Sequence, residues 1–497
     1  MVFLQRALEA QDRKDHQGAL ALFERALAEQ PGDWRVHVGL GNSLRALGRL
    51  DEAVAACTHG VEAAGDAVPA WTQLALAYQA SGQWTPARLC FQRVCALAPE
   101  SADAWCNLAA LEAWAEDFGA AESAARRALE VSPGHARAAI NLGRARKEQG
   151  AFSEAIALYQ RALAVEPDNT DAAWNLGLVL LQEERWAEGW PLHELRSGVP
   201  SVIGTARWDG RPLGGATILV QAEKGLGDTI QFARYLRLLK SVAGAGRVVV
   251  ECQQPLRQLL AGCAGVDVVV ARGEQLPDAD VRAPMMSLPL LLRAFDPEAS
   301  AAPSYLQPSA ERVAFWRAEL LRRGRQARAG RIGIAWQGNP SYRADGRRSI
   351  ALALLKPAIA RAQALGMDVF SLQKGHGSEQ LAALPAELPV IDLGAALDNG
   401  GPGSAFVDTA AVIANLDLVI SSDTSVPHLA GALGAPTWLL LGHVPDWRWG
   451  RAGERTPWYP GVRVFRQAHA GDWPGVLQQV CAALETLGVS ANERNAV

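Results

Sequence analysis

The chain has 497 residues, 49% of them hydrophobic, and a formal net charge of −4. That length implies about three domains at roughly 100–200 residues each. The charge balance, with no long basic run, argues against a nucleic-acid binder, and the lack of a run of about 18 apolar residues argues against a membrane span.

The first half repeats itself every 34 residues. Pro31, Pro99, Pro133 and Pro167 share one register, with Gly65 in the missing slot. Ala19, Ala53, Ala87, Ala121 and Ala155 share a second; Leu40, Leu74, Leu108, Leu142 and Leu176 share a third, each followed by Gly or Ala. In the stretch from Trp71, residues Leu74, Ala75 and Tyr78 follow one helical face. Gly82 then breaks the chain, a second helix carries Ala87, Phe91 and Val94, and Pro99 ends the unit because proline cannot continue a helix. This pattern resembles the tetratricopeptide repeat, a helix–turn–helix unit that stacks into a superhelix with a concave groove. Five units are expected, starting near Phe3, Val36, Ala70, Ala104 and Ala138, with a sixth first helix at Ala172–Leu181.

Gln73, Asn107, Asn141 and Asn175 form a further register, one residue before the repeated leucine. An amide offers donors and an acceptor, so a row of them could clamp an extended peptide backbone. The row resembles the asparagine ladder of the eukaryotic protein O-GlcNAc transferases. Asparagine is also common in the generic repeat at this position, so packing and acceptor binding both fit.

Seven cysteines form no CxxC pair. Cys57, Cys90, Cys95 and Cys106 fall within repeat helices, where a free thiol acts as a small hydrophobe. A reducing, cytoplasmic setting is expected, and the start MVFLQRALEAQDRK lacks a signal peptide's apolar run.

Periodicity fades at Trp186–Trp190, and SGVPSVIGTARWDGRPLGG reads as a linker. Arg207, Trp208 and Asp209 within it are expected to dock the two halves rather than serve a site. Beyond it, short β-branched runs alternate with helical stretches: ATILVQA, RVVVEC and VDVVVA, then RIGIAWQG, MDVFSLQ, PVIDLG, LDLVISS and TWLLLG. Such alternation predicts two parallel α/β domains, with ligands at the carboxyl ends of the strands. Two segments there carry chemistry. Glu223-Lys224-Gly225-Leu226-Gly227-Asp228-Thr229 follows the first strand and opens a helix, where Asp228 also fits a helix cap. Ser421-Ser422-Asp423-Thr424-Ser425-Val426-Pro427-His428 opens another helix, whose free N–H groups suit a phosphate. There a capped helix with a core histidine is the plainer alternative. Asp278 and Asp280 read as a solvated turn rather than a metal site, and His443 as structural.

The GLGDT segment, RIGIAWQGNP, Arg348-Ser349 and DTSVPHLAGALG together resemble the heptosyltransferase-like glycosyltransferases (glycosyltransferase family nine). PDWRW (Pro445–Trp449) and PWYP (Pro457–Pro460) are similar to bacterial proteins that join these repeats to such a domain. The resemblance implies an all-α tetratricopeptide superhelix followed by an α/β GT-B fold, two Rossmann-like domains facing a cleft. The implied domains are repeats at 1–190, an acceptor-side domain at 191–325, a nucleotide-sugar-binding domain at 326–470, and a C-terminal helix at 471–497 that could cross back, with a disordered tail. It also implies roles. Asp228 matches the proposed general base. Asp423, Thr424 and Ser425 match the segment gripping the donor sugar and diphosphate. Arg348 matches a phosphate-binding position, His428 matches the helix-start histidine, and the glycines Gly225 and Gly227 belong to the donor-side loop. Gln373 and Lys374 are expected near the nucleotide base.

The activity implied is transfer of a sugar from a nucleotide-sugar co-substrate, with inversion and no metal or other cofactor. The acceptor would be a polypeptide hydroxyl held by the repeats, with flagellin or another surface protein as a candidate. Two alternatives stay open: a lipopolysaccharide-type acceptor, and a non-catalytic repeat scaffold with a degenerate transferase domain.

Overall fold

The computed structural model describes residues 2–200, 204–300, 302, 304–325, 329–401 and 403–494. Part of the predicted linker (201–203) and the last residues of the predicted tail (495–497) lie outside the described residues. The chain divides into two compact units, 1–179 and 180–497.

The first unit is a row of antiparallel helix pairs: Val2–Asp12 with His16–Glu29, Trp34–Ala46 with Leu50–Ala64, Val68–Ala80 with Trp84–Leu97, Ala102–Trp114 with Phe118–Val131, and Ala136–Glu148 with Phe152–Val165. A sixth first helix, Thr170–Gln182, carries the chain across the division. The repeated alanines Ala19, Ala53, Ala87, Ala121 and Ala155 are all fully buried, as expected where helices approach too closely for a larger side chain. The small residue after the repeated leucine obeys the same limit. A Cβ on Gly41 would meet the Cys57 sulfur at 2.3 Å, and one on Gly143 would meet the Tyr159 ring at 2.7 Å. The turn inside each pair holds a residue at positive φ: Lys14, Gly48, Gly82, Glu116, Gly150 and Glu184. These too are 34 apart, and the three non-glycines accept a left-handed conformation that L residues disfavour.

The second unit holds two sheets. β1 (Ala206–Arg207), β2 (Thr217–Gln221), β3 (Arg247–Cys252), β4 (Val268–Ala271) and β5 (Val281–Pro284) form the first, in the order β1-β5-β2-β3-β4. β6 (Gly330–Ala335), β7 (Met367–Ser371), β8 (Ile391–Asp392), β9 (Leu418–Ser422), β10 (Thr437–Leu441) and β11 (Val462–Arg466) form the second, in the order β11-β10-β9-β6-β7-β8. All pairings are parallel. Three strands escape the sequence pattern: β1 has two residues, β5 ends in proline, and β11 carries two arginines among five residues. Each sheet reverses its winding once, beside β2 in the first and between β6 and β9 in the second. Those switch points are where open α/β sheets leave a crevice for ligands.

Three expected boundaries shift. Helix Trp186–His193 keeps the repeat register, since Trp84, Phe118, Phe152 and Trp186 each open a second helix. It nevertheless belongs to the second unit. Trp190 is buried there against Phe232 and Trp447, and its indole donates to the Phe295 carbonyl at 2.9 Å. Helix Ala310–Arg323 falls on the far side of the expected break at 325. Trp316 donates to Asp408 at 2.8 Å, and Asn415 donates to the Val313 carbonyl at 3.0 Å, so it packs with the second sheet's domain. The terminal helix Trp473–Arg494 does not cross back: Val476, Leu477, Val480 and Leu484 complete the second sheet's own core. The linker's Arg207, Trp208 and Asp209 contact the second unit itself. Arg207 pairs with Glu194, and the Trp208 amide donates to the Arg282 carbonyl at 2.8 Å.

Candidate functional site

The loop after β2 turns sharply. Glu223 points inward and Lys224 takes a left-handed φ of 54°. Lys224 Nζ reaches the Ser197 carbonyl at 2.6 Å, and Gln253 Nε2 braces the Lys224 carbonyl at 3.2 Å. Helix Leu226–Phe232 then starts at Gly225. The Gly225 amide donates to Asp228 Oδ2 at 2.8 Å, so Asp228 caps the helix start from its third position, as its place in the chain suggests. Its other oxygen accepts from Arg448.

The loop after β9 gives Asp423 and then helix Ser425–Ala432, capped by Thr424 Oγ1, which accepts the Val426 amide at 3.3 Å. The two motif helices touch. A Cβ on Gly227 would lie 3.1 Å from His428 Cδ2 and 3.5 Å from Ser425 Cα, so this close approach favours glycine. His428 is buried, shares a hydrogen bond of 2.9 Å with the Tyr459 hydroxyl, and stacks on Trp449 at 4.8 Å between ring centroids. Burial, with Arg448, Arg234 and Arg348 nearby, lowers its pKa well below the ordinary value. His428 is therefore a neutral, positioned ring rather than a proton shuttle.

Arg448, in the PDWRW segment, was not singled out from sequence. It is buried, and donates to Gln231 Oε1 at 2.6 Å, to Asp446 Oδ1 at 2.7 Å and to Asp228. Burial opposes its charge, but Asp446, Asp228 and Asp423 outweigh burial and raise its pKa. Arg234 adds a second tie between the sheets' domains. It donates to the Trp458 carbonyl at 2.7 Å and lies 4.7 Å over the Tyr459 ring.

Burial, and then the Asp446 carboxylate, push the Asp423 pKa up to about 6; the Trp449 indole, Arg348 and Arg448 pull the other way. The folded protein thus holds this proton to higher pH than an unfolded chain, whose Asp sits near 3.8. Its contribution to stability is present at about pH 4 and is lost as pH rises through about 6. Asp423→Asn is expected to remove that slope and to melt higher than the parent above pH 7. Melting curves from pH 4 to 8 check this, and parallel curves for the two proteins would refute it.

The other expected donor contacts divide. Arg348 Nε pairs with Asp345 at 3.0 Å under the Tyr342 ring, and a Cβ on Gly338 would meet Arg348 Nη2 at 2.8 Å. Ser349 Oγ donates to Asp345 at 2.7 Å and accepts the Gly338 amide at 2.9 Å, so the loop after β6 is built around this arginine. Gln373 is drawn inward. Its oxygen accepts the Trp336 and Gln337 amides, both at 3.1 Å, and its nitrogen donates to the Gln337 and His376 carbonyls at 2.9 and 2.8 Å. Both ends of that amide are used, which makes Gln373 a brace of the loop rather than a donor contact. Lys374 Nζ donates to the Leu397 carbonyl at 2.5 Å and clamps the 397–399 turn. Asp280 Oδ2 accepts the Thr217 amide at 2.7 Å and secures the start of β2.

The amide row is not a free ladder. Asn141 is 7% exposed and donates to the Cys106 carbonyl of the preceding repeat at 3.1 Å, so it packs rather than faces a guest. Asn175 donates to the Asp171 carbonyl of its own helix at 2.7 Å. Asn107 accepts from Arg137 at 3.1 Å, and the Gln73 oxygen is buried without a partner among the described residues. Asn141→Ala is expected to cost about 1 kcal/mol in repeat stability, the worth of one buried hydrogen bond. Chemical denaturation followed by circular dichroism reads this, and an unchanged midpoint would return Asn141 to the acceptor-binding expectation.

Family models for the tetratricopeptide repeat match residues 10–75, 68–111 and 143–183. The helical half therefore carries tetratricopeptide repeats. Beyond that class, the chain is similar to Protein FlbA of Caulobacter vibrioides, at 29% identity across 62% of this chain and 53% of that protein. The chain thus spans about half the length of this curated relative. Residues 1–179 are little over a third of the chain, so the match extends into the α/β unit. Among solved structures, TTC0263, a thermophilic TPR protein of Thermus thermophilus, is 22% identical, covering 36% of this chain and 97% of its own at a TM-score of 0.32. MamA 41-end from Desulfovibrio magneticus RS-1 is 17% identical, covering 34% and 95% at 0.31. YrrB, described as a TPR protein with an unusual peptide-binding site, is 20% identical, covering 35% and 89% at 0.29.

Proposed function

We propose that the α/β unit is a nucleotide-sugar-dependent glycosyltransferase arranged as a GT-B fold, and that the repeats hold a polypeptide acceptor. The observation that supports this most is the meeting of the two motif helices, with Gly227 against His428 and Asp228 beside the Asp423 loop. The amides opening helix Ser425–Ala432 suit a donor diphosphate, with Arg348 and Arg448 supplying positive charge. An acceptor hydroxyl attacks the anomeric carbon from the face opposite the diphosphate. The new carbon–oxygen bond forms as the bond to the diphosphate breaks, Asp228 takes the hydroxyl proton, and the leaving group departs with its charge held by amides and arginines.

A screen of nucleotide sugars by thermal shift, followed by mass spectrometry of polypeptide acceptors incubated with each binder, tests this. Stabilisation by a donor and a mass increment of one sugar are expected. Neither result for any donor would leave the repeat scaffold without transfer. That second reading draws on the engagement of both Asp228 oxygens within the protein.

A further inference from the structure

Arg448 stands where the two motif loops converge, and its bonds are unevenly divided. Three of its five N–H donors are engaged, on Gln231, Asp446 and Asp228. Asp446 holds the guanidinium from its own domain and Gln231, on helix Leu226–Phe232, from the first sheet's domain; the group also lies 4.5 Å over the Trp447 ring. The bond to Asp228, like the one to Gln231, crosses from the second sheet's domain to the first's. On the second domain's side, the Trp449 indole N–H is buried and makes no well-formed hydrogen bond, though it is near enough to Asp423 to favour that carboxylate's charged form. Its ring stacks on His428 at the first turn of helix Ser425–Ala432. This is a weakly used donor near Asp423, which precedes that helix by two residues, on the same segment as an arginine whose third partner is a carboxylate.

We infer that Arg448 is shared between Asp228 and the donor diphosphate: a nucleoside diphosphate at the Thr424–Val426 amides takes over the guanidinium and releases the Asp228 oxygen it covers. This rests on the glycosyltransferase reading and adds an order to it. That oxygen becomes open to an acceptor hydroxyl after the diphosphate is seated, so donor binding precedes proton removal and a bare acceptor meets a masked base. Asp446 and Gln231 keep the arginine at the site in both arrangements, because neither bond involves Asp228. A planar guanidinium suits this exchange, since its fork matches both carboxylate and phosphate oxygens.

Isothermal titration of UDP, ADP, GDP and inorganic pyrophosphate into the full chain tests the competition. The proteins are the parent, Asp228→Asn, Arg448→Met and the double variant, each checked for a folded melting transition. Arg448→Met is expected to bind the diphosphate about tenfold to a hundredfold more weakly, the loss of one charge-assisted pair. Asp228→Asn is expected to bind several-fold more tightly, and that gain should vanish in the double variant. If the gain came only from removing a like charge, it would persist without Arg448, and the sharing would be overturned. Parent-like binding by Arg448→Met overturns it as well. Should Arg448→Met fail to fold, Arg448→Lys replaces it, with intermediate binding expected because the charge stays and the fork is lost; parent-like binding by the lysine variant likewise refutes the sharing. These failures leave the glycosyltransferase reading standing, whereas a parent protein that binds no diphosphate sinks both.

Discussion

Asp228→Asn is expected to leave the protein folded and to slow sugar transfer by about 10²–10⁴-fold, the usual contribution of a positioned general base. The shape of the side chain is kept, and its carbonyl oxygen can still accept the Gly225 amide that opens helix Leu226–Phe232. Arg448 keeps Asp446 and Gln231. The melting temperature should therefore change little while single-turnover transfer collapses. A residue that only capped its helix would leave transfer intact, since asparagine keeps the cap, and that outcome would end the base assignment.

The largest stability effect is expected at Arg196. Its side chain is wholly buried, and five hydrogen bonds use its donors. Nε and Nη2 reach Glu223 at 2.9 and 2.8 Å, Nη2 reaches Ser287 at 2.8 Å, and Nη1 reaches Glu194 at 2.8 Å and the His193 carbonyl at 3.2 Å. Burial alone would lower its pKa, yet Glu223 and Glu194 reverse this and hold it charged. Among the described residues, Arg196→Met would leave the buried Glu223 carboxylate with only the Met286 amide, at 3.1 Å. Removing one member of a buried pair costs about 3–5 kcal/mol. Hydrogen exchange of the β2 and β3 amides measures the loss within that unit. Adding Glu223→Gln should recover part of it, since the glutamine is uncharged and still accepts the Met286 amide. Exchange rates equal to the parent's would show that the pair contributes no net stability. Because Glu223 begins the loop that presents Asp228, the same variant tests how firmly that loop is held.

Much of the helical half is legible in the sequence because burial there is local. The fully buried alanines, the glycines at Gly41 and Gly143, and the positive-φ turns recur every 34 residues, so each repeat reports the same contacts as its neighbours. The motif loops are legible for a related reason: an acid and a helix start follow a β-branched run at both Leu226–Phe232 and Ser425–Ala432. Asn141 shows where this reasoning stops. Its register predicts a groove position, but the Cys106 carbonyl lies within reach and turns the amide inward. Gln373 is similar: a polar residue at a strand end reads as a ligand contact, and the neighbouring loop uses both ends of its amide.

By itself, the sequence determined the repeat, its turns, the alternation of strands with helices and the two loops that carry the candidate chemistry. These follow from periodicity and from residues adjacent in the chain. Only the tertiary structure decided the strand orders, and with them the switch points beside which the β2 and β9 loops lie. It alone assigned helix Trp186–His193 to the α/β unit, moved helix Ala310–Arg323 to the second sheet's domain and set Arg448 on Asp228, 220 residues away. The physical reason is that sheet order and helix crossovers are chosen by the summed burial of a whole unit. A pairing between residues so far apart leaves no trace in the spacing of either one.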